Sequence, residues 1–128
     1  MGNFDIEADL IDSREVIERL AELESAEEVA LDDGYDGIHP ADADELAALR
    51  AFADEASYVS DWEHGETFIR DDFFVDYVRE LMDDCGYIPA DLPEFISQNI
   101  DWEGVADDMK EDYADFELNG VTYWARVL

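Results

Sequence analysis

Acidic side chains outnumber basic ones by thirty in this chain of 128 residues, so any fold it adopts must hold that charge at its surface. Thirty-seven Asp and Glu stand against seven Lys and Arg. The excess is not an acidic tail on a neutral domain. Residues 1–57 hold 18 acids and 3 bases and residues 58–128 hold 19 and 4, so each part carries −15. Repulsion of this kind opposes compaction, and disordered segments combine it with low hydrophobicity. Here apolar residues make up 48% of the chain, with three Trp, six Tyr and seven Phe to fill a core. The composition therefore points to a folded, highly acidic protein of one ordinary domain, or of two small subdomains sharing a core.

The sign of the charge excludes partners. Duplex DNA and anionic lipid attract Lys and Arg and repel this surface, so direct nucleic-acid or membrane binding is not expected. No apolar run approaches the roughly 20 residues that span a bilayer, and Met1 to Leu10 carries acids where a signal peptide has basic and then apolar residues. A cytoplasmic protein is expected. The single cysteine, Cys85, has no partner for an internal disulfide or a zinc cluster and reads as a buried helix residue.

Asp12-Ser-Arg-Glu15 has capping-box spacing and predicts a helix start, with Val16, Ile17, Leu20 and Leu23 following at helical spacing. Turn residues from Asp32 to Gly37 end it. Pro40 suits the first turn of a second helix that carries Leu46, Leu49 and Phe52 and runs to about Ala56. Residues 1–56 thus read as an acidic antiparallel helical hairpin. Residues 57–128 read as an α+β domain, with a short strand near Thr67 to Ile69 and a helix from Asp71 or Asp72 to Cys85. Gly86 caps that helix, Pro89 to Pro93 bound an irregular segment, and Asp101 caps a fourth helix with Trp102, Val105, Met109 and Tyr113 inward. Asn119-Gly120 accepts the positive φ angles of a two-residue type I′ hairpin, which closes the chain. The expected fold is α+β: a helical hairpin, then a small three-stranded antiparallel sheet covered on one face by the third and fourth helices.

Motifs for catalysis are weak. Asp32 to Gly37 departs from a calcium loop at Gly34 and at Ala43, where a bidentate Glu is needed. His39 and His64 lie in predicted loops without a second histidine at metal-ligand spacing. A Cys85–His64 nucleophile pair has no local mark of activation, and there is no P-loop, GxGxxG or GxSxG. Carboxylate pairs are so numerous that they identify no acid–base site. Neither enzymatic activity nor a metal or other cofactor is expected.

What remains is the charge itself. Duplex DNA presents one negative charge per about 1.7 Å of axis, so thirty charges correspond to about 50 Å of duplex. A compact chain of this length has a radius of gyration of about 14 Å, and is therefore as charged as DNA of its own length. Acids at i and i+4 on a helix lie about 6 Å apart, and doubled stripes on two neighbouring helices approach duplex density. A DNA mimic is the leading expectation. Salt adaptation of an ordinary acidic domain, and an acidic chaperone or scaffold for basic proteins, are the alternatives.

Three stretches order these readings: Ser57-Tyr-Val-Ser-Asp-Trp-Glu-His-Gly-Glu-Thr-Phe-Ile-Arg-Asp-Asp-Phe-Phe74, Asn99-Ile-Asp-Trp-Glu-Gly-Val-Ala-Asp-Asp-Met-Lys-Glu-Asp-Tyr113 and Gly120-Val-Thr-Tyr-Trp-Ala-Arg126. Over about residues 57 to 126 the chain resembles the ArdA-type antirestriction family of plasmids, transposons and phages. The resemblance implies a non-enzymatic DNA mimic that occupies the DNA groove of type I restriction-modification enzymes, commonly as a dimer, with no catalytic residue to carry over. The first 56 residues depart from longer members, which have a separate N-terminal domain there. An anti-CRISPR inhibitor that blocks the DNA or PAM channel of an effector would use the same physics. The expected mimic surface comprises Glu15, Glu18 and Glu22 from the hairpin, Asp72, Asp76, Glu80 and Asp83 from the third helix, and Glu103, Asp107, Asp108, Glu111 and Asp112 from the fourth. Val127 and Leu128 hint at a self-association edge.

Overall fold

The computed structural model describes residues 4–127; Leu128, one half of the apolar C-terminal pair noted above, lies outside them. Strand β1 (Leu10–Asp12) leads directly into α1 (Ser13–Asp32), and α2 (Pro40–Ala56) follows after a loop. Strand β2 (Thr67–Arg70) passes through a 3-10 turn (Asp71–Phe73) into α3 (Phe74–Asp84). The short α4 (Glu94–Ser97), then α5 (Trp102–Met109) and a second 3-10 turn (Lys110–Asp112), precede the hairpin of β3 (Tyr113–Leu118) and β4 (Val121–Arg126). The fold is α+β.

The sheet has four antiparallel strands in the order β1-β2-β4-β3, not three. The additional strand is β1, which sets Ile11 opposite Phe68 and extends the expected trio at its β2 edge. Three residues are too few to show the alternation that marks a strand, and the capping signal at Asp12 claims the same stretch for a helix start. Asp12 does cap α1, accepting from the Arg14 N–H. At the far end Asn119 (φ 53°) and Gly120 (φ 82°) form the type I′ turn that the sequence requires.

Alternation along the strands gives the sheet two buried faces. Phe68, Phe116, Leu118, Tyr123 and Ala125 point to one side, where Val16 and Leu23 of α1 and Leu46, Leu49, Phe52 and Ala56 of α2 complete the core. Phe68 is its centre, edge-on to Phe52 at 4.9 Å, to Phe116 at 5.6 Å and to Trp62 at 5.8 Å. Ile69 and Trp124 point to the other side, against Phe74 and Val78 of α3 and Ala106 of α5. The sheet is thus the middle of three layers, with α1 and α2 on one face and α3 and α5 on the other. The larger core takes residues from before and after position 56, so the helical pair and the remainder share it.

Trp62 to Glu66 holds the helical layer to the sheet. Ser13, fully buried at the start of α1, donates from Oγ to the Trp62 carbonyl at 2.6 Å and accepts from the Glu66 N–H at 2.7 Å. Gly65 sits at φ +112°, and a Cβ there would lie 2.7 Å from Arg14 Nε. A side chain at Gly65 would thus be strained by that backbone angle and would push the Arg14 guanidinium aside.

Three helix details differ from expectation. The α-helical part of the third helix begins at Phe74, so Asp72 belongs to the preceding 3-10 turn. The fourth helix ends at Met109: Glu111 and Asp112 lie in a 3-10 turn, and Tyr113 is the first residue of β3 rather than an inward helix position. Cys85 is exposed, not buried. Only Phe74 and Val78 of α3 are fully covered, and the apolar stripe emerges into solvent before it reaches Cys85. Gly86, at φ +78°, ends that helix as expected.

Candidate functional site

Because the apolar stripes are used up in the two cores, the acids are left outside. Every Asp and Glu is exposed except Asp12, Glu27, Asp42, Glu45 and Glu66, which are half-buried. All twelve residues of the expected surface are exposed, but the sheet divides them. Glu15, Glu18 and Glu22 project from α1 on one side. Asp76, Glu80 and Asp83 of α3 and Glu103, Asp107 and Asp108 of α5 lie on the other, with Asp72, Glu111 and Asp112 in the adjoining 3-10 turns. The two groups belong to opposite layers rather than to one stripe.

The chain's own cations sharpen the division. On the α1–α2 side Arg19 contacts Glu45 at 2.8 Å, Glu22 at 3.7 Å and Asp42 at 3.9 Å, and Arg50 contacts Glu24 at 3.2 Å and Glu27 at 3.4 Å. Hydrogen bonding to Glu45 and to Glu24 raises the pKa of these two guanidiniums above the ordinary arginine value. Arg14 holds Asp12 at 2.7 Å and, through that hydrogen bond, lowers its carboxyl pKa. Beside α3, Asp72 faces Arg70 at 3.3 Å and Asp71 faces Lys110 at 3.5 Å, both in the first 3-10 turn. Lys110 also lies 4.6 Å from the centre of the Trp124 ring, a position that favours the charge without an acid. Among the described residues Asp76, Glu80, Asp83, Glu103, Asp107, Asp108, Glu111 and Asp112 contact no cation within 4.0 Å. Among the described residues every acid of α3 and α5 is thus without a cation partner, whereas Arg19 and Arg50 hold Glu22, Glu24, Glu27, Asp42 and Glu45 of α1 and α2 and leave Glu15, Glu18, Glu28, Asp32, Asp44, Asp54 and Glu55 without one.

The α3–α5 face contains a groove of about 480 Å³ between α3 and the segment that runs from Ile88 into α5. Its walls combine half-buried Phe73, Ile88, Ser97, Ile100 and Trp102 with exposed Asp76, Arg79, Glu80 and Asp83. Helical spacing at i, i+4 and i+7 places the three acids on one side of α3. Trp102 owes its place to Asp101, whose carboxylate accepts from the Gly104 N–H at 3.1 Å and starts α5 immediately before it. None of these apolar wall residues, nor Arg79, was among the expected site residues. The signal available in the sequence was Arg79, which with Lys110 is one of only two bases between Asp71 and Asp112.

The remaining chemistry-bearing residues are dispersed. His39 is exposed and caps α2, its Nδ1 accepting from the Ala41 N–H at 3.2 Å; His64 and Cys85 are also exposed. Glu66 is half-buried, and desolvation with the nearby Asp61 charge raises its carboxyl pKa. Among the described residues no three His, Cys, Asp or Glu side chains converge as a metal site. No helix is long and apolar enough to cross a membrane among those residues. No family model matches the chain, and no curated protein or solved structure matches it.

Proposed function

We propose that the protein is a DNA mimic that occupies the DNA-binding cleft of a bacterial host-defence enzyme, acting in the cytoplasm as an antirestriction protein of the ArdA type against type I restriction-modification complexes. The observation that carries this reading is the uncompensated carboxylate face of α3 and α5. Arg19 and Arg50 engage Glu22, Glu24, Glu27, Asp42 and Glu45 of α1 and α2, whereas among the described residues no acid of α3 or α5 contacts a cation within 4.0 Å, which leaves this face's charge for a partner's cations. Along α3 the steps from Asp76 to Glu80 to Asp83 are about 6 and 4.5 Å of rise, and α5 packs beside it with Glu103, Asp107 and Asp108. Two such helices offer a partner's Lys and Arg a density of anions comparable to that of sugar-phosphate strands. Complementarity of charge and shape sets the choice of partner, and release of ions from both surfaces makes the affinity fall as salt rises. No catalytic residue and no cofactor takes part.

The choice of a type I complex rests on the resemblance of residues 57 to 126; the electrostatics alone suit any enzyme with a basic DNA cleft. Inhibition of DNA cleavage by a purified type I endonuclease tests both. The combined substitution Asp76→Asn, Glu80→Gln, Asp83→Asn, Glu103→Gln, Asp107→Asn and Asp108→Asn is expected to abolish inhibition. Glu15→Gln, Glu18→Gln and Glu22→Gln together should leave most of it. Equal inhibition by the wild type and the sixfold variant would refute the assigned face. Inhibition of a CRISPR effector in place of the type I enzyme would keep the mimicry and replace the partner. Indifferent binding to many basic proteins would point instead to an acidic chaperone.

A further inference from the structure

We infer that the groove between α3 and α5 receives a single arginine side chain from the partner's DNA-contacting surface. The inference rests on the DNA-mimic reading and names the contact that would give it a fixed register. A smooth anionic face attracts cations but does not place them. The groove brings apolar Phe73, Ile100 and Trp102 together with the carboxylates of Asp76, Glu80 and Asp83. A long basic side chain matches both parts, with its methylene stem on the apolar wall and its charged head among the acids. Arginine suits it better than lysine, because a planar guanidinium stacks on an indole and takes carboxylates through paired N–H donors. Charge complementarity supports a cationic occupant. Among the described residues the three acids contact no cation within 4.0 Å, and they outnumber Arg79 on the groove wall.

The test is a titration of the whole protein, followed by NMR through its three indole N–H signals, with the tripeptide acetyl-Gly-Arg-Gly-amide as probe. Its counterparts with lysine and with norleucine in place of arginine serve as controls. A saturable shift of the Trp102 signal is expected, larger with arginine than with lysine and absent with norleucine, while the buried Trp62 signal stays in place. The combined variant Asp76→Asn, Glu80→Gln and Asp83→Asn should weaken that binding at least about tenfold. The α1 variant Glu15→Gln, Glu18→Gln and Glu22→Gln should leave it unchanged, and circular dichroism verifies that both variants are folded. A Trp102 signal that does not move, or one lost equally in both variants, overturns the inference. A protein that competes with DNA yet leaves Trp102 unmoved would retain the mimic reading and lose this contact. One that shifts with the arginine peptide but never competes with DNA would keep the contact and lose the mimicry.

Discussion

The phenol of Tyr123 donates to the Ala8 carbonyl at 2.7 Å, fastening the segment before β1 to the middle of the sheet. The ring is fully buried, and desolvation raises the phenol pKa to about 12. Ionisation is therefore harder in the folded chain than in the unfolded one, where tyrosine titrates near pH ~10. Below pH ~10 both states keep the proton and the stabilisation is complete; between about 10 and 12 the unfolded chain loses it first, so stability falls as pH rises. Burial raises the pKa values of Tyr77 and Tyr113 in the same direction. Tyr123→Phe should cost about 1 kcal/mol at neutral pH and flatten the alkaline decline. Urea denaturation at pH values from neutral to strongly alkaline measures both effects.

Ser13 offers a second mechanical test. Its hydroxyl joins the Trp62 carbonyl to the Glu66 N–H within a fully buried site, so Ser13→Ala leaves two polar groups without that partner. A loss of about 2 kcal/mol is expected in urea denaturation, with little effect on the exposed acids of α3 and α5.

Gly104 and Asp101 act as a unit at the start of α5. A Cβ on Gly104 would stand 2.7 Å from Asp101 Oδ2, so the capping carboxylate must shift to make room. Gly104→Ala should therefore lower stability despite alanine's better helix propensity, and Asp101→Ala should cost about 1 kcal/mol. In the double variant the losses should be less than additive, since each change removes the same cap. Thermal unfolding of the three variants checks this.

Much of the fold was legible in the sequence because the relevant signals are local. Pro40, Gly86, Asp101 and Asn119-Gly120 mark their boundaries through backbone geometry and capping, and the strand near Phe68 does join the C-terminal hairpin. The misses have a common cause in tertiary context. Strand β1 is defined by its pairing with β2 rather than by pattern, and Cys85 follows the apolar period of α3 to a point where no second layer remains to cover it. The site was legible only as a class of residue. Sequence placed the acids outside, but which acids meet Arg19 and Arg50 depends on how α2 packs against α1. The groove was hidden because Phe73, Ile88, Ile100 and Trp102 come from separate segments that only the tertiary fold brings together.

Salt should act on stability and on binding in opposite directions. With −30 charges on a small globule, screening relieves self-repulsion, so the melting temperature should rise between low and moderate ionic strength. The protein should nonetheless remain folded at low salt, where a salt-adapted domain would lose structure. Affinity for the proposed defence-enzyme partner should fall over the same range, steeply on a logarithmic scale. Calorimetry and binding measured in one series of buffers separate the two trends.

The central claim is that the carboxylate face of α3 and α5 takes the place of DNA in another protein's cleft. Its most direct test is competition: the enzyme is loaded with the acidic protein, and a duplex oligonucleotide carrying the recognition site is titrated in. Mutually exclusive binding is expected, with the oligonucleotide displacing the protein and the α3–α5 sixfold variant displaced at lower concentrations of duplex. A stable ternary complex of enzyme, DNA and acidic protein would contradict the account.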